Sequence, residues 1–204
     1  MAMVSCCQAP YAIVCLGVRK KRTLSRADWI GAAFSALADG GAQTLKAESL
    51  ARSLKVSKGS FYWHFKDVND LKRAMIQHWQ GRASNAVDAE INRTGQAPPA
   101  PVSRLLALTD TRHGAPFGDP ATEAAIRDWA RGEPFVRQAV AKVDARRVAF
   151  LTGLLRQHGL GAPEAAQKAR LFYAAMIGRE ALGLTGMDMV QDDLQALLAD
   201  LLAA

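Results

Sequence analysis

Apolar residues recur at helical spacing along most of the chain that follows Arg22. Ile30, Ala33, Phe34 and Leu37 share one face, the three-to-four residue repeat of an amphipathic helix. Ser25-Arg26-Ala27-Asp28 supplies its start, a hydroxyl at the cap with a carboxylate three residues on, and Gly40-Gly41 its stop. A short second helix over 46–54 turns Leu50, Ala51 and Leu54 inward. The turn Lys55-Val56-Ser57 leads into a third helix, capped by Ser57, in which Phe61 and Phe65 lie one turn apart. A longer helix over 68–84 carries Leu71, Met75, Ile76 and Trp79 on one side. The proline-rich segment 97–101 breaks the pattern, and helices are expected again at 102–111, 121–130, 134–157, 163–184 and 191–202. Pro134 and Pro163 occupy first-turn positions, and Gly159 and Gly161 close the helix before the second of them. No segment alternates with the period of a strand and no internal repeat is visible, so the fold class is all-α.

Composition supports a folded chain and charge locates its partner. Half of the 204 residues are apolar and 22% are charged, a globular balance rather than a disordered one. The net charge is +7, but it is unevenly spread. Residues 19–82 hold 13 Lys/Arg against 5 Asp/Glu, the rest of the chain after them 13 against 14, and residues 1–18 none. A localised positive surface points to a polyanion. Cys6, Cys7 and Cys15 all precede the helical body, which therefore has no disulfide framework and reads as cytoplasmic. His64, His78, His113 and His158 lack metal-ligand spacing, and no cofactor or metal is expected. Residues 1–18 are apolar, but the basic run Arg19–Arg22 follows instead of preceding them. That order is wrong for a secretory signal, and Pro10 and the short length argue against a membrane span. The stretch reads as an extension, either a flexible arm or the product of an early start codon, with Val18 a candidate non-AUG start.

Residues 50–71 carry the functional chemistry. Ala51 is small where two helices must approach, Val56 anchors a tight turn, and the next helix is short and polar-aromatic. This is helix-turn-helix geometry, in which the second helix enters the major groove. Ser57 caps that helix and leaves its other N-terminal N–H groups facing a phosphate. Lys58 adds a cation, and Gly59 lets the backbone approach the duplex. Ser60, Tyr62 and His64 offer directional donors, Trp63 an apolar surface for a thymine methyl, and Lys66 a phosphate contact. Phe61 and Phe65 are read as core residues that seat the helix. Arg19–Arg22 are either an arm that reaches the DNA or a solvated tail.

The run Ser57-Lys58-Gly59-Ser60-Phe61-Tyr62-Trp63-His64-Phe65-Lys66 resembles the recognition-helix signature of TetR-type transcriptional regulators, and the resemblance extends over about residues 24–75. Ala125–Ala130 and Val143–Arg147 are similar to the regulatory half of one branch of that family. The resemblance implies that Lys58, Ser60, Tyr62, Trp63, His64 and Lys66 lie in or near a DNA interface. Two positions depart from the family pattern. Lys55 stands where a glycine is usual and must take a left-handed or adjusted turn. Val68 stands where a phosphate-binding lysine is usual, a contact that Lys46, where a threonine is usual, partly replaces.

The second half shows no catalytic constellation, so the chain is read as a non-enzyme. Its last two helices have surplus apolar faces. Phe172 and Met176 lie beside Tyr173 and Ile177, Ala174, Gly178 and Ala181 form a small-residue stripe, and Leu194, Leu197, Leu198, Leu201 and Leu202 follow in the final helix. The resemblance implies that these helices pair with a second copy as a four-helix bundle, with Tyr173, Ala174, Ile177, Gly178, Ala181, Leu194, Leu197 and Leu201 at the interface. Trp79, Phe117, Trp129, Phe135, Phe150, Phe172 and Met176 are candidates to line a ligand cavity, with Arg112, His113 and Arg127 as its polar groups. The expected organisation is an extension over 1–18, a helix-turn-helix domain over 19–67, and a helical regulatory and dimerisation domain over 68–204 that begins with the connecting helix 68–84. The expected function is that of a homodimeric regulator that binds a near-palindromic operator in double-stranded DNA, a repressor released by a small-molecule effector. The alternatives are a DNA-binding regulator or interaction module without a ligand, and a helical enzyme whose basic end is incidental.

Overall fold

The computed structural model describes residues 24–92, 101–108, 120–187 and 191–203. Among them every regular element is helical. α1 (Arg26–Gly40) opens on the expected capping box. Asp28 N–H donates to the Ser25 hydroxyl at 3.2 Å, and Ser25 N–H donates to the Asp28 carboxylate at 2.8 Å. Gly41, at φ 75°, ends the helix, and its N–H returns to the Leu37 carbonyl. A single 3-10 turn (Ala42–Thr44) leads to α2 (Ala47–Ser53) and α3 (Lys58–Tyr62). The remaining helices are α4 (Val68–Asn92), α5 (Pro101–Ala107), α6 (Pro120–Gly132), α7 (Pro134–Gln157), α8 (Ala162–Gly183) and α9 (Gln191–Ala203).

Three lengths differ from the sequence expectation. α3 ends at Tyr62, so Phe65 lies beyond it in the turn before α4. The connecting helix does not stop at Ser84 but runs to Asn92, because Val87 is buried one turn after Ala83 and prolongs the inward stripe. α5 covers Pro101–Ala107 rather than 102–111, and residues 109–111 lie outside the described segments. The extension 1–18 and the basic run 19–22 lie outside them as well.

The buried residues form two clusters. The first joins Trp29, Leu37, Leu50, Phe61 and Phe65 to Leu71, Met75 and Trp79 of α4, to Ile126 and Trp129 of α6, and to Val136 and Val143 of α7. The expected domain boundary at 67/68 falls within this cluster. The second joins Val87, Leu105, the later α7 residues Phe150, Leu151 and Leu154, the α8 residues Phe172 and Met176, and Leu194 and Leu198 of α9. The two long helices α4 and α7 thus run through both clusters, each with its first part in one and its last part in the other.

The turn between α2 and α3 carries local strain. Val56 N–H bonds the Ala51 carbonyl at 3.0 Å and Lys55 N–H the Arg52 carbonyl at 3.1 Å, the paired bonds of a helix that ends on a left-handed residue. That residue is Lys55, at φ 56°, so the strain expected from the missing glycine is present. Lys55→Gly should relieve about 1–2 kcal/mol of left-handed strain and lose roughly 0.4–1 kcal/mol to the freer unfolded chain. The expected outcome is a stabilised protein with a higher urea midpoint and an unchanged m-value. A lower midpoint would count against strain at this turn.

Candidate nucleic-acid interface

α3 divides sharply between an inner and an outer face. Phe61 and Phe65 are 0% and 1% exposed, whereas Tyr62 and Trp63 are 55% and 86% exposed. The inner pair is packed from both sides. The Trp29 ring meets Phe61 edge-on with centroids 5.4 Å apart, and Phe65 lies 5.4 Å beyond. The Arg26 guanidinium covers Phe65 at 4.9 Å. The next helix is anchored by side chains at its start. Asp70 N–H donates to the Asp67 carboxylate at 2.8 Å, and Asp70 in turn accepts the Lys66 N–H at 3.1 Å. α3 is thus seated by its aromatics while its outer residues have little to hold them.

The sequence-expected residues on this side fall as follows. Lys46 is exposed at the N-cap of α2, and Lys66 is exposed ahead of α4. Ser57 occupies the N-cap of α3, but its hydroxyl makes no capping hydrogen bond. The cap expected there is a position and not a bond. Gly59 is exposed, and a Cβ built on it would meet only the Ser57 hydroxyl, at 3.8 Å. Nothing inside the chain therefore requires glycine at this point. Ser60 is half-buried, as is His64, whose ring lies 6.4 Å from that of Trp29. Lys58 is not a free cation, because its ammonium pairs with Glu48 in the first turn of α2. The hydrogen bond from Lys58 holds the Glu48 carboxyl below its usual value, and the same bond raises the Lys58 ammonium. The sequence reading missed Glu48, whose partner lies ten positions away across the turn.

In the regulatory half, a polar network occupies the waist between the two apolar clusters. Arg147 of α7 is 1% exposed. Its terminal nitrogens donate to the Glu123 carboxylate of α6 at 3.0 and 3.1 Å, and one of them reaches the Tyr173 hydroxyl of α8 at 3.3 Å. Trp79 of α4 donates its indole N–H to the same Glu123 carboxylate at 2.8 Å. Beside this, Arg127 forms a two-pronged bridge to Asp144 at 2.7 and 2.9 Å, and the Tyr173 hydroxyl donates to Asp144 at 2.7 Å. Burial alone would raise the Asp144 carboxyl, but hydrogen bonds from Arg127 and Tyr173 hold it below its usual value. Burial pushes the Tyr173 phenol up to about 12.

The described residues expected around a ligand cavity pack in the two apolar clusters. Trp79 and Trp129 pack in the first cluster, with Phe135 against its edge, and Phe150, Phe172 and Met176 pack in the second. Large apolar side chains at helical spacing fill the interior here, as such stripes usually do. Arg112, His113 and Phe117 lie outside the described residues. Arg127 borders a cleft of about 290 Å³ between α6 and α8 that also involves Glu123, Ile177, Glu180 and Ala181. The residues expected at an interface between copies fall in two environments within the single chain. Tyr173 and Leu194 are buried within the chain, the first by the polar network and the second by the lower cluster. Ala174 and Ala181 are exposed, and Ile177, Gly178, Leu197 and Leu201 are half-buried. Among the described residues no helix is long and apolar enough to cross a membrane, and no three metal-ligating side chains gather.

Comparison with known proteins places this arrangement. The family model for bacterial regulatory proteins of the tetR family matches residues 30–75, from α1 through the first turns of α4. The whole fold is similar to a transcriptional regulator from Pseudomonas aeruginosa, at 20% identity and a TM-score of 0.70, covering 92% of this chain and 96% of that one. It is also similar to a TetR regulatory protein from Rhodobacter sphaeroides, at 20% identity and a TM-score of 0.65 over 87% and 97% of the two chains. A transcriptional regulator from a Rhodococcus species gives 20% identity and a TM-score of 0.65 over 88% and 95%. No curated protein sequence matches. The helix-turn-helix segment thus matches the model of the tetR family of bacterial regulatory proteins, and the helical fold over nearly the whole length is similar to that of solved transcriptional regulators.

Proposed function

We propose that this DNA-binding regulator is a homodimeric repressor that reads its operator through α3 and is released from it by a small effector. The observation that carries the first part is the outer face of α3. A tryptophan left 86% exposed beside a half-exposed tyrosine has no use in the fold of one chain, whereas stacking and methyl contacts in a groove would bury it. The exposed Lys46, Ser57, Gly59 and Lys66 border the same face, with Ser60 and His64 at its margins. Lys58 would reach a phosphate by exchanging Glu48 for it.

The repressor reading needs a path between effector and DNA, and the Trp79–Glu123 hydrogen bond supplies its first link. Glu123 borders the α6–α8 cleft, while Trp79 lies on the helix that leaves the helix-turn-helix. A ligand in the cleft that draws on Glu123 would alter the seating of α4 and, with it, the separation of two recognition helices. The dimer reading rests on the outer face of α8. Leu171 and Leu182 remain 53% and 37% exposed around Ala174, Gly178 and Ala181. A Cβ on Gly178 would meet nothing of its own chain within 4 Å. A second copy on a two-fold axis would cover this stripe and present two α3 helices about one helical turn apart.

Substitutions on α2 and α3 test the DNA contact. Trp63→Ala should leave stability within about 0.5 kcal/mol of the parent and weaken operator binding by roughly 1–3 kcal/mol, whereas Phe61→Ala should lose about 3–5 kcal/mol of folding stability. Urea unfolding and salt-titrated anisotropy on upstream DNA read both. In the same titration Glu48→Gln frees Lys58 and should strengthen binding while steepening its salt dependence. Full operator affinity in Trp63→Ala would remove α3 from the interface.

Trp79→Phe keeps an apolar ring but deletes the donor to Glu123, at a cost of roughly 1–3 kcal/mol. Operator affinity should change with it, although Trp79 is buried in α4 and not on the outer face of α3. Reduced stability at unaltered affinity would disconnect this bond from the DNA half. Gly178→Glu puts a charge on the small-residue stripe, where pairing would bury it without a partner. Sedimentation should then find a monomer with intact helicity and much weaker operator binding. A dimer of normal affinity would exclude the stripe as the seam.

A further inference from the structure

The charges around the α6–α8 cleft are committed to different degrees. Arg127 is held by its two-pronged bridge to Asp144, and Glu123 by Arg147 and Trp79. Asp128 and Arg131 are exposed at the rim and opposite in sign. Glu180 of α8 differs from all of these. It is half-buried in the wall of the cleft, and among the described residues its carboxylate has neither a hydrogen bond nor an ion pair. The rest of the wall is apolar, formed by Pro120 and Ala124 of α6 and Ile177 and Ala181 of α8.

From this we infer that the α6–α8 cleft is a binding site for an organic ammonium ion with a compact apolar body, its N–H groups donated to Glu180 and its hydrocarbon part laid on Ala124, Ile177 and Ala181. A carboxylate without a donor in partly buried surroundings loses hydration and gains nothing in return, and a charged donor restores that loss most fully. An anionic ligand would meet the bare Glu180 carboxylate, and within the cleft wall the Arg127 guanidinium is already bonded to Asp144, with Arg131 offset by Asp128 at the rim. A neutral ligand would leave Glu180 unpaired. The cleft volume of about 290 Å³ suits a single ring or a short branched chain. Burial and the nearby Glu123 raise the Glu180 carboxyl above its usual range, against the opposing pull of Arg147, Arg179 and Arg127. Among the described residues these groups, on α6, α7 and α8, are the charges that act on it, with Asp128 and Arg131 at the rim. An ammonium ligand should therefore expel a proton from the pocket as it binds, and its affinity should fall as the pH is lowered through that raised range.

This inference names the ligand class for the effector reading above, and the two can fail separately. Benzylammonium, cyclohexylammonium and triethylammonium are titrated calorimetrically into the full chain, with benzyl alcohol and benzoate as neutral and anionic counterparts. At least one ammonium ion should bind and raise the Tm, with each counterpart weaker by about tenfold or more, the worth of one charge-assisted hydrogen bond. Glu180→Gln, nearly isosteric and free of buried-charge effects, should lose a similar factor. Ala124→Leu should weaken all three ions by narrowing the cleft. Equal binding of benzyl alcohol or benzoate, undiminished binding to Glu180→Gln, or no ammonium binding below about 10 mM, the reach of a single weak contact, would overturn the inference. Operator affinity is measured separately with the bound ion. Glu180-dependent binding that leaves operator affinity untouched would uphold the ammonium site and refute effector release through it.

Discussion

The ion pair between Arg147 and Glu123 is the constraint on which the packing of α6, α7 and α8 depends. Removing two charges from water is costly, and the pair is tolerable only because its surroundings supply further hydrogen bonds. Trp79 supplies one donor and Tyr173 one acceptor, while Arg127 and Asp144 hold Tyr173 in turn. Four helices meet at this one place as a result. Val143 and Phe150, on either side of Arg147 along α7, belong to different apolar clusters. The pair thus fixes the register of α6 and α8 against α7 where apolar packing alone, tolerant of small slides, would not.

The DNA side works by the opposite device. There the ordering comes from Phe61 and Phe65, clamped by Trp29 and Arg26, and the polar residues are left outside with few partners. A rigid inner face beneath a loosely held outer one is what a reading surface requires, since side chains committed to the fold have little left to offer a base pair.

How much of this is legible in the sequence depends on whether the signal is periodic. The helix order, the capping box at Ser25 and the inward Phe61 and Phe65 follow from spacing or local backbone chemistry, the left-handed or adjusted turn at Lys55 from the resemblance to a pattern with glycine there, and the structure agrees on each. The end of α4 is not legible in the same way, because Ser84 and Asn85 hide the continuing stripe to Val87. The place of a ligand is not legible for a deeper reason. Periodicity identifies which residues face inward but not whether the interior is filled, and Trp129, Phe150 and Phe172 fill it. Glu123, Arg147 and Glu180 belong to no motif, so motif spacing passes over them. Their signal is of another kind. Arg147 stands four residues after Val143 and four before Leu151, and Glu123 three before Ile126, so each of the two interrupts an inward stripe with a charge. A charge in such a place implies a buried partner, since no lone ion would be tolerated there.

The apolar cluster that contains the helix-turn-helix does not end with it. Trp29 and Leu37 of α1 share one interior with Met75 and Trp79 of α4 and with Ile126 and Trp129 of α6. The helix-turn-helix is therefore not a bead that could be cut free or traded between chains. A chimera joined at the start of α4 would set mismatched side chains against each other along the whole of this contact. A substitution on the inner face of α1 must then be accommodated on α6, whose side chains share the same interior. Trp63 at the end of α3, with little to meet inside the chain, is under no such constraint, whereas Lys58 remains tied to Glu48.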